Sequence, residues 1–373
     1  MKLNGFEKMK VGFLVNPIAG MGGRVGLKGT DNVLEEAIKR GATPISPIRA
    51  GRFLTELSKY KLDIEFLTPP SIMGEEYLMR TRFKYIVRGE IHLPTTPEDT
   101  MNFVREVRDS IGLLVFVGGD GTARDIYNVI DGELPVIGVP SGVKIFSGVF
   151  TITPEDAARL LYDYIRGDAL LDYADVLDID EEEYRRGRIS VKLYGQMKVP
   201  YRTGYLQGSK SPTPVTEVKE ELEAIAKYVV EEMEKDILYI TCPGNTVKGI
   251  HKVLGLDYTP LGVDLITKDS VVKLDVSEKE IITHLNRFRK AVIIVSPIGG
   301  QGIIFGRGNQ VVSPDVIKRV GLNNIIIVSP RWKLNGLKCL YIDTDDPDLN
   351  KKFPKAVKVI IGYREYKVMY ICK

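Results

Sequence analysis

Leu113-Leu114-Val115-Phe116-Val117-Gly118-Gly119-Asp120-Gly121-Thr122-Ala123 is the stretch from which the fold of this chain can be read. Five apolar residues without polar alternation mark a strand buried on both faces, and such strands belong to parallel sheets covered by helices. The run ends at a glycine pair and a helical pattern begins at Ala123, so strand turns to helix within a few residues. Gly118, Gly119 and Gly121 let backbone approach phosphate oxygens closely, and the N–H groups of a helix start attract them. Between these glycines stands one carboxylate, Asp120, which a tight turn alone does not require. At a helix start it is expected to stay ionised near pH 7, ready to accept a proton from a substrate hydroxyl or to reach a magnesium ion. The equally weighted alternative is structural, with Asp120 or Thr122 capping the helix.

The same pattern recurs along the chain. Val11–Val15 runs into Asn16-Pro17-Ile18-Ala19-Gly20, Val136–Val139 into Pro140-Ser141-Gly142, and Ile237–Thr241 into Cys242-Pro243-Gly244-Asn245-Thr246. Ala291–Val295 leads to Ser296-Pro297-Ile298-Gly299-Gly300, and Ile325–Val328 to Ser329-Pro330. Helical patterns lie between them at 31–40, 97–110, 123–130, 154–166, 217–235, 247–254 and 277–288. Strand alternating with helix predicts an α/β fold, with ligands bound beyond the carboxyl ends of the strands where these turns sit. The rhythm breaks at 171–201, which reads as two strands around the charged run Glu181–Arg188. The expected organisation is a doubly wound parallel-sheet domain over 1–168, then a second, substrate-side domain over 169–350 with a β-rich start and further α/β units. Two short strands in 351–373 close the chain and are free to return to the first domain.

Composition narrows the class. At about 150 residues per domain, 373 residues give two to three domains and exclude a peptide or a disulfide mini-protein. Lys plus Arg number 52 against 49 Asp plus Glu, a net of +3 without a basic stripe, so no nucleic-acid partner is expected. Apolar runs fall far short of the roughly 20 residues that span a bilayer, and residues 1–10 do not resemble a signal peptide. A cytoplasmic protein with no membrane partner is the reading. Cys242, Cys339 and Cys372 are far apart in sequence and read as reduced thiols, and with three histidines no zinc site is expected. Any metal would be held by oxygens and phosphate. Only four glutamines stand beside abundant Lys and Glu, a bias found in hyperthermophiles.

Other segments are candidates for ligand contact. Gly20, Gly22, Gly23 and Arg24 lie in a loop with five glycines that suits a nucleotide or polyphosphate anion; the plain alternative is a surface loop. Gly299, Gly300, Gln301, Arg307 and Asn309 fall in a second glycine-rich segment whose donors suit a phosphate or an adenine edge, unless it is a β-hairpin. Ser141, Gly142 and Lys144 follow a strand, as do Gly244, Asn245 and Thr246. Asp178 and Asp180 alternate onto one strand face, which fits either a metal or ribose site or ordinary solvated carboxylates.

Asn16-Pro17-Ile18-Ala19-Gly20, followed about a hundred residues later by Gly118-Gly119-Asp120-Gly121-Thr122, resembles the NAD kinase and diacylglycerol/sphingolipid kinase superfamily. The segment Pro135–Lys144 resembles the NAD kinase side of it. Residues 19–31, Val176–Asp180, Pro297–Gly302 and Phe305–Gln310 are similar to a divergent ATP-NAD kinase-like branch, common in archaea and found beside acetoin catabolism genes. The family's Asn-Glu pair is not recognisable, and its Thr-Pro-Thr-Gly-Ser-Thr stretch has a counterpart at best in Pro243-Gly244-Asn245-Thr246. The resemblance implies a kinase that moves a phosphoryl group from ATP or polyphosphate to the 2′-hydroxyl of the adenosine ribose of NAD. It also implies magnesium, Asp120 as the base, phosphates on the glycine loops, and a homo-oligomer, dimer or tetramer. The other readings are a same-superfamily kinase acting on a lipid or small polyol, and a non-catalytic nucleotide-binding protein.

Overall fold

The computed structural model describes residues 9–27, 33–130, 132–143, 145–179, 191–201, 215–298 and 301–372. They form two compact units, the first made of 9–21, 43–179 and 191–201 and the second of 22–27, 33–42 and 215–372.

In the first unit β1 (Met9–Val15), β2 (Ile64–Thr68), β3 (Lys84–Val87), β4 (Leu113–Gly118) and β5 (Val136–Pro140) make one sheet, ordered β3-β2-β1-β4-β5, with every pairing parallel. Along β4 the side chains alternate between two cores. Leu113, Val115 and Val117 enter one with Phe13 and Val15, whereas Leu114 and Phe116 enter the other with Leu14. That is why the apolar run is unbroken: a period of two with both faces covered leaves no position for a polar residue. The helices Ser46–Leu57 and Pro154–Ile165 cover one face; Pro97–Val107 and Asp120–Ile130 cover the other. Thr153 and Asp156 form a capping box that fixes the start of 154–165, with the Asp156 N–H donating to Thr153 Oγ1 at 3.1 Å. The helix read as starting at Ala123 starts at Asp120.

The boundary read at 168 is corrected by packing. β6 (Leu170–Ile179) and β7 (Val191–Tyr201) form an antiparallel ribbon. Its inward residues Val176, Met197 and Val199 are buried in the core that holds Phe116, Ile126 and Phe150, so the ribbon belongs to the first unit. The charged run at 181–188 and Asp180 lie outside the described residues.

The second unit holds a seven-stranded sheet of β8 (Leu238–Thr241), β9 (Asp264–Ile266), β10 (Val271–Lys273), β11 (Ala291–Val295), β13 (Ile325–Val328), β15 (Ala356–Gly362) and β16 (Glu365–Tyr370). Its order is β10-β9-β8-β11-β13-β15-β16, with β8, β11, β13 and β15 parallel. β12 (Ile303–Phe305) and β14 (Tyr341–Ile342) pair separately in parallel. The closing strands, free by sequence to return to the first sheet, extend this one instead, since β15 pairs with β13.

Reduced thiols throughout is a second reading that the structure corrects. Leu340 bridges Ile371, which brings the neighbouring Cys339 and Cys372 to a Cα separation of 5.5 Å, joined as a disulfide. Cys242 alone stays a thiol, buried, and burial pushes it up to about 12. No helix among the described residues is long and apolar enough to cross a membrane.

Candidate active site

From β1 the first sheet grows outward to β2 and β3 on one side, and the chain then crosses to β4 and β5 on the other. Strand order reverses between β1 and β4, and in open parallel sheets ligands bind in the crevice beyond the carboxyl ends at that point. β1 ends at Val15 and β4 at Gly118, so the residues delivered there are Asn16 and Gly119-Asp120.

Three loops are stitched together at this place. The Asn16 backbone N–H donates to the Val117 carbonyl at 2.9 Å, and its side-chain Nδ2 donates to Thr122 Oγ1 at 2.9 Å. The N–H groups of Ser141 and Gly142 both donate to the Gly118 carbonyl, at 2.8 and 3.2 Å. The hydroxyls of Ser141 and Ser46 both donate to the Ala19 carbonyl, at 3.0 and 3.1 Å, and lie 2.6 Å from one another. Thus Asn16, Gly20, Gly118, Gly119, Thr122, Ser141 and Gly142 come together, with Asp120 and Gly121 between them in the chain. The glycines, however, also serve a purpose internal to the protein. A β-carbon on Gly118 would strike the Thr122 side chain, and one on Gly119 would press on Gly142. Gly20 has φ +81° and a β-carbon there would run into the Ser141 carbonyl. Gly20→Ala is therefore expected to cost about 2 to 4 kcal/mol, from the left-handed backbone and the overpacking together, read as a lowered midpoint in urea unfolding.

Asp120 is buried, and it does not cap its own helix. Its Oδ2 accepts from the Phe146 N–H at 2.7 Å and its Oδ1 from the Ser147 N–H at 3.0 Å, a clamp on the loop that follows β5. Burial raises its pKa to about 7, against the lowering effect of the hydrogen bonds from Ser147 and Phe146; the negative charge of Asp178 raises it further. The expectation of a carboxylate fully ionised near pH 7 is corrected on this point: desolvation outweighs the helix start. Asp178 is likewise not a solvated strand carboxylate. It is buried, and Arg124 Nη1 donates to its Oδ2 at 2.7 Å. Arg124 stands four residues after Asp120 in the same helix, and this spacing puts both on one face.

The remaining sequence candidates lie in the second unit. Gly22, Gly23 and Arg24 pack there, with Gly23 against the Gln310 side chain, the Arg24 carbonyl accepting from the Glu278 N–H at 3.2 Å, and the Arg24 guanidinium 3.7 Å from Asp345. Gly244, Asn245 and Thr246 open the helix Asn245–Leu254. Gln301, Arg307 and Asn309 are all buried. Asn309 braces its own loop: its Oδ1 accepts from the Gly306 N–H at 3.2 Å and its Nδ2 donates to the Ile304 carbonyl at 2.8 Å. This segment is not a hairpin, because β12 pairs in parallel with β14, and a β-carbon on Gly306 would strike the Asp343 carbonyl. Lys144, Gly299 and Gly300 lie outside the described residues.

Sequence reasoning missed Ser46, Arg124, Phe146 and Ser147, and in the second unit the buried pair Lys248–Asp264. Among the described residues no three His, Cys, Asp or Glu side chains converge on a metal-sized space. Asp120 and Asp178 already accept hydrogen bonds from Phe146, Ser147 and Arg124.

Comparison with known proteins matches residues 11–169 to the ATP-NAD kinase N-terminal domain and residues 234–371 to the ATP-NAD kinase C-terminal domain. No curated protein matches the chain. Among solved structures, one from Bacillus anthracis str. Sterne, assigned as a diacylglycerol kinase, is similar at 16% identity and a TM-score of 0.23. That match covers 48% of this chain and 45% of the other, so the chain spans less than half the length of the structure it matches.

Proposed function

The chain belongs to the NAD kinase superfamily, and from that membership we propose that it transfers a phosphoryl group from ATP or polyphosphate to the 2′-hydroxyl of the adenosine ribose of NAD, giving NADP. The observation that carries the reading is Asp120. A lone carboxylate between glycines, at the switch point of a parallel sheet, is clamped by two backbone N–H groups and held near pKa 7. A general base works best when its pKa lies near the operating pH, and proton removal of this kind contributes about 10²- to 10⁴-fold. Phosphoryl transfer otherwise asks for alignment and charge neutralisation. The stitched loops after β1, β4 and β5 supply a rigid frame for that alignment, and Asp120 takes the proton from the attacking hydroxyl. Magnesium, bound to the donor phosphates, would neutralise part of their charge.

The carboxylate is the active form of Asp120, and this sets the sign of the pH dependence: kcat/KM is expected to rise about tenfold per pH unit below about 7 and to level off above it. Arg124→Met removes the hydrogen bond and positive charge that Arg124 directs at Asp178, which disfavours ionisation of Asp120 and should move the acid limb upward by up to about one pH unit. A profile that is flat from pH 5.5 to 8.5 removes Asp120 from the proton transfer. Acceptor chemistry is tested with the NAD analogue that lacks the 2′-hydroxyl, which is expected to inhibit and not to be phosphorylated.

A further inference from the structure

The loop that clamps Asp120 is itself seated on the β6–β7 ribbon. The Gly148 N–H donates to the Asp175 carbonyl of β6 at 2.9 Å, and a β-carbon on Gly148 would press on Ala174. One residue earlier the seat is made by a side chain. Ser147 is fully buried, and its hydroxyl accepts from the Leu177 N–H at 3.0 Å and donates to the Leu177 carbonyl at 2.8 Å. The backbone N–H of the same residue donates to Asp120 Oδ1 at 3.0 Å. The Ser147 side chain also hydrogen-bonds the Asp120 carboxylate and favours its ionised form. A hydroxyl has one proton, so the Leu177 carbonyl and Asp120 compete for it. An ionised carboxylate is the stronger acceptor and draws that proton, whereas a neutral acid releases it to Leu177.

Charge enters this neighbourhood from three elements. The helix Asp120–Ile130 carries Arg124 and Asp125, β6 carries Asp178, and β7 carries Lys192, opposite Asp178 in the ribbon register. The helix Pro97–Val107, packed along 120–130, directs Asp99 to His92 and Arg105 to Glu98, and Glu106 stands beside Gly89. Residues 16–21, 141–143 and 145–148 carry no charge. Asp178 opposes ionisation of Asp120, which leaves the donors Phe146 and Ser147 to favour it.

We propose that Ser147 is a positioning residue for Asp120, its hydroxyl being the link through which the carboxylate is held to the backbone of β6. The link rests on the hydrogen bonds; its bearing on proton removal from the acceptor hydroxyl rests on the kinase reading. Without the hydroxyl the buried carboxylate loses a donor, and the neutral acid gains ground.

The test is carbon NMR of the full chain labelled at the aspartate carboxyls and the leucine carbonyls, titrated from about pH 5 to about pH 9. The Asp120 signal is identified by its absence in Asp120→Asn. Ser147→Ala is expected to raise the Asp120 midpoint by about half to one pH unit, and Ser147→Cys, a weaker donor of similar size, by less. Bracing of the loop alone would lower the melting temperature and leave the midpoint where it is. An unmoved midpoint in folded Ser147→Ala therefore overturns the proposal. In the wild type, where no variant has to fold, the Leu177 carbonyl is expected to titrate with the Asp120 midpoint, and a Leu177 carbonyl that does not follow it overturns the proposal as well. Activity is read separately. An acid limb of kcat/KM that moves with the midpoint supports both readings, whereas a shifted midpoint in a protein that yields no NADP contradicts the kinase reading and leaves the link standing.

Discussion

Asp120→Asn is expected to lower kcat/KM by a hundredfold or more, about 3 to 5 kcal/mol of barrier, at every pH where the wild type is active. Its effect on stability is expected to depend on pH. The carboxylate accepts one N–H on each oxygen. An amide can accept only one of them and turns its own NH2 toward the other, at a cost of about 1 to 3 kcal/mol. Against this stands the linkage of the wild type. An Asp whose folded pKa is raised to about 7 binds its proton more tightly in the folded than in the unfolded state. Wild-type stability therefore falls as pH rises from about 4 to about 7, by on the order of 4 kcal/mol, and is level above that. The variant lacks this slope. Melting curves should show Asp120→Asn less stable than wild type near pH 5 and equal or more stable near pH 8, while activity stays lost throughout. Retained turnover at pH 8 contradicts the base assignment.

Lys248→Met is expected to destabilise the second unit by about 3 to 5 kcal/mol, which for a unit of this size lowers its melting temperature by about 10 °C. Lys248 and Asp264 are both almost fully buried, with Nζ 2.7 Å from Oδ2. Asp264 also accepts from the Thr259 N–H at 2.8 Å and the Asp275 N–H at 2.9 Å, and Lys248 donates to the Thr241 carbonyl at 3.2 Å. Burial lowers the Lys248 pKa, which the Asp264 charge opposes. Removing the cation leaves a buried carboxylate uncompensated. The pair joins the helix Asn245–Leu254 to β8 and β9, so the loss should appear as a lower urea midpoint for that unit. A change below 1 kcal/mol would mean that the site is solvated and that the pair does not hold the helix in place.

The central part of each sheet was legible in the sequence because a strand buried on both faces has no freedom to be polar. β1, β4, β5, β8, β11 and β13 all announce themselves as apolar runs that end in small residues. The missed elements lie toward the sheet margins. β3 carries no fully buried residue, and β2 has polar residues at Glu65 and Thr68, so neither shows the unbroken run. The helix Ser46–Leu57 buries Ser46, Arg49 and Glu56 along with its apolar face, and this blurs the period of 3.6. Asp120 was legible because a lone acid between glycines has no local use. Its partners were not: Phe146 and Ser147 contribute backbone N–H groups, which no side chain advertises. Asp178 looked solvated because its neutralising partner, Arg124, is 54 residues away in sequence. Gly302 and Gly306 face inward against Leu337, Cys339 and Asp343, a fact that depends on the pairing of β12 with β14 and cannot be read locally.

The most direct test of the account is to incubate the purified protein with magnesium, NAD and either ATP or polyphosphate, and to follow NADP with an NADP-specific dehydrogenase. NADP that accumulates in proportion to enzyme with at least one donor, and is absent with Asp120→Asn, is the result the account predicts. No NADP with either donor, from wild-type protein whose melting curve shows it folded, would contradict it.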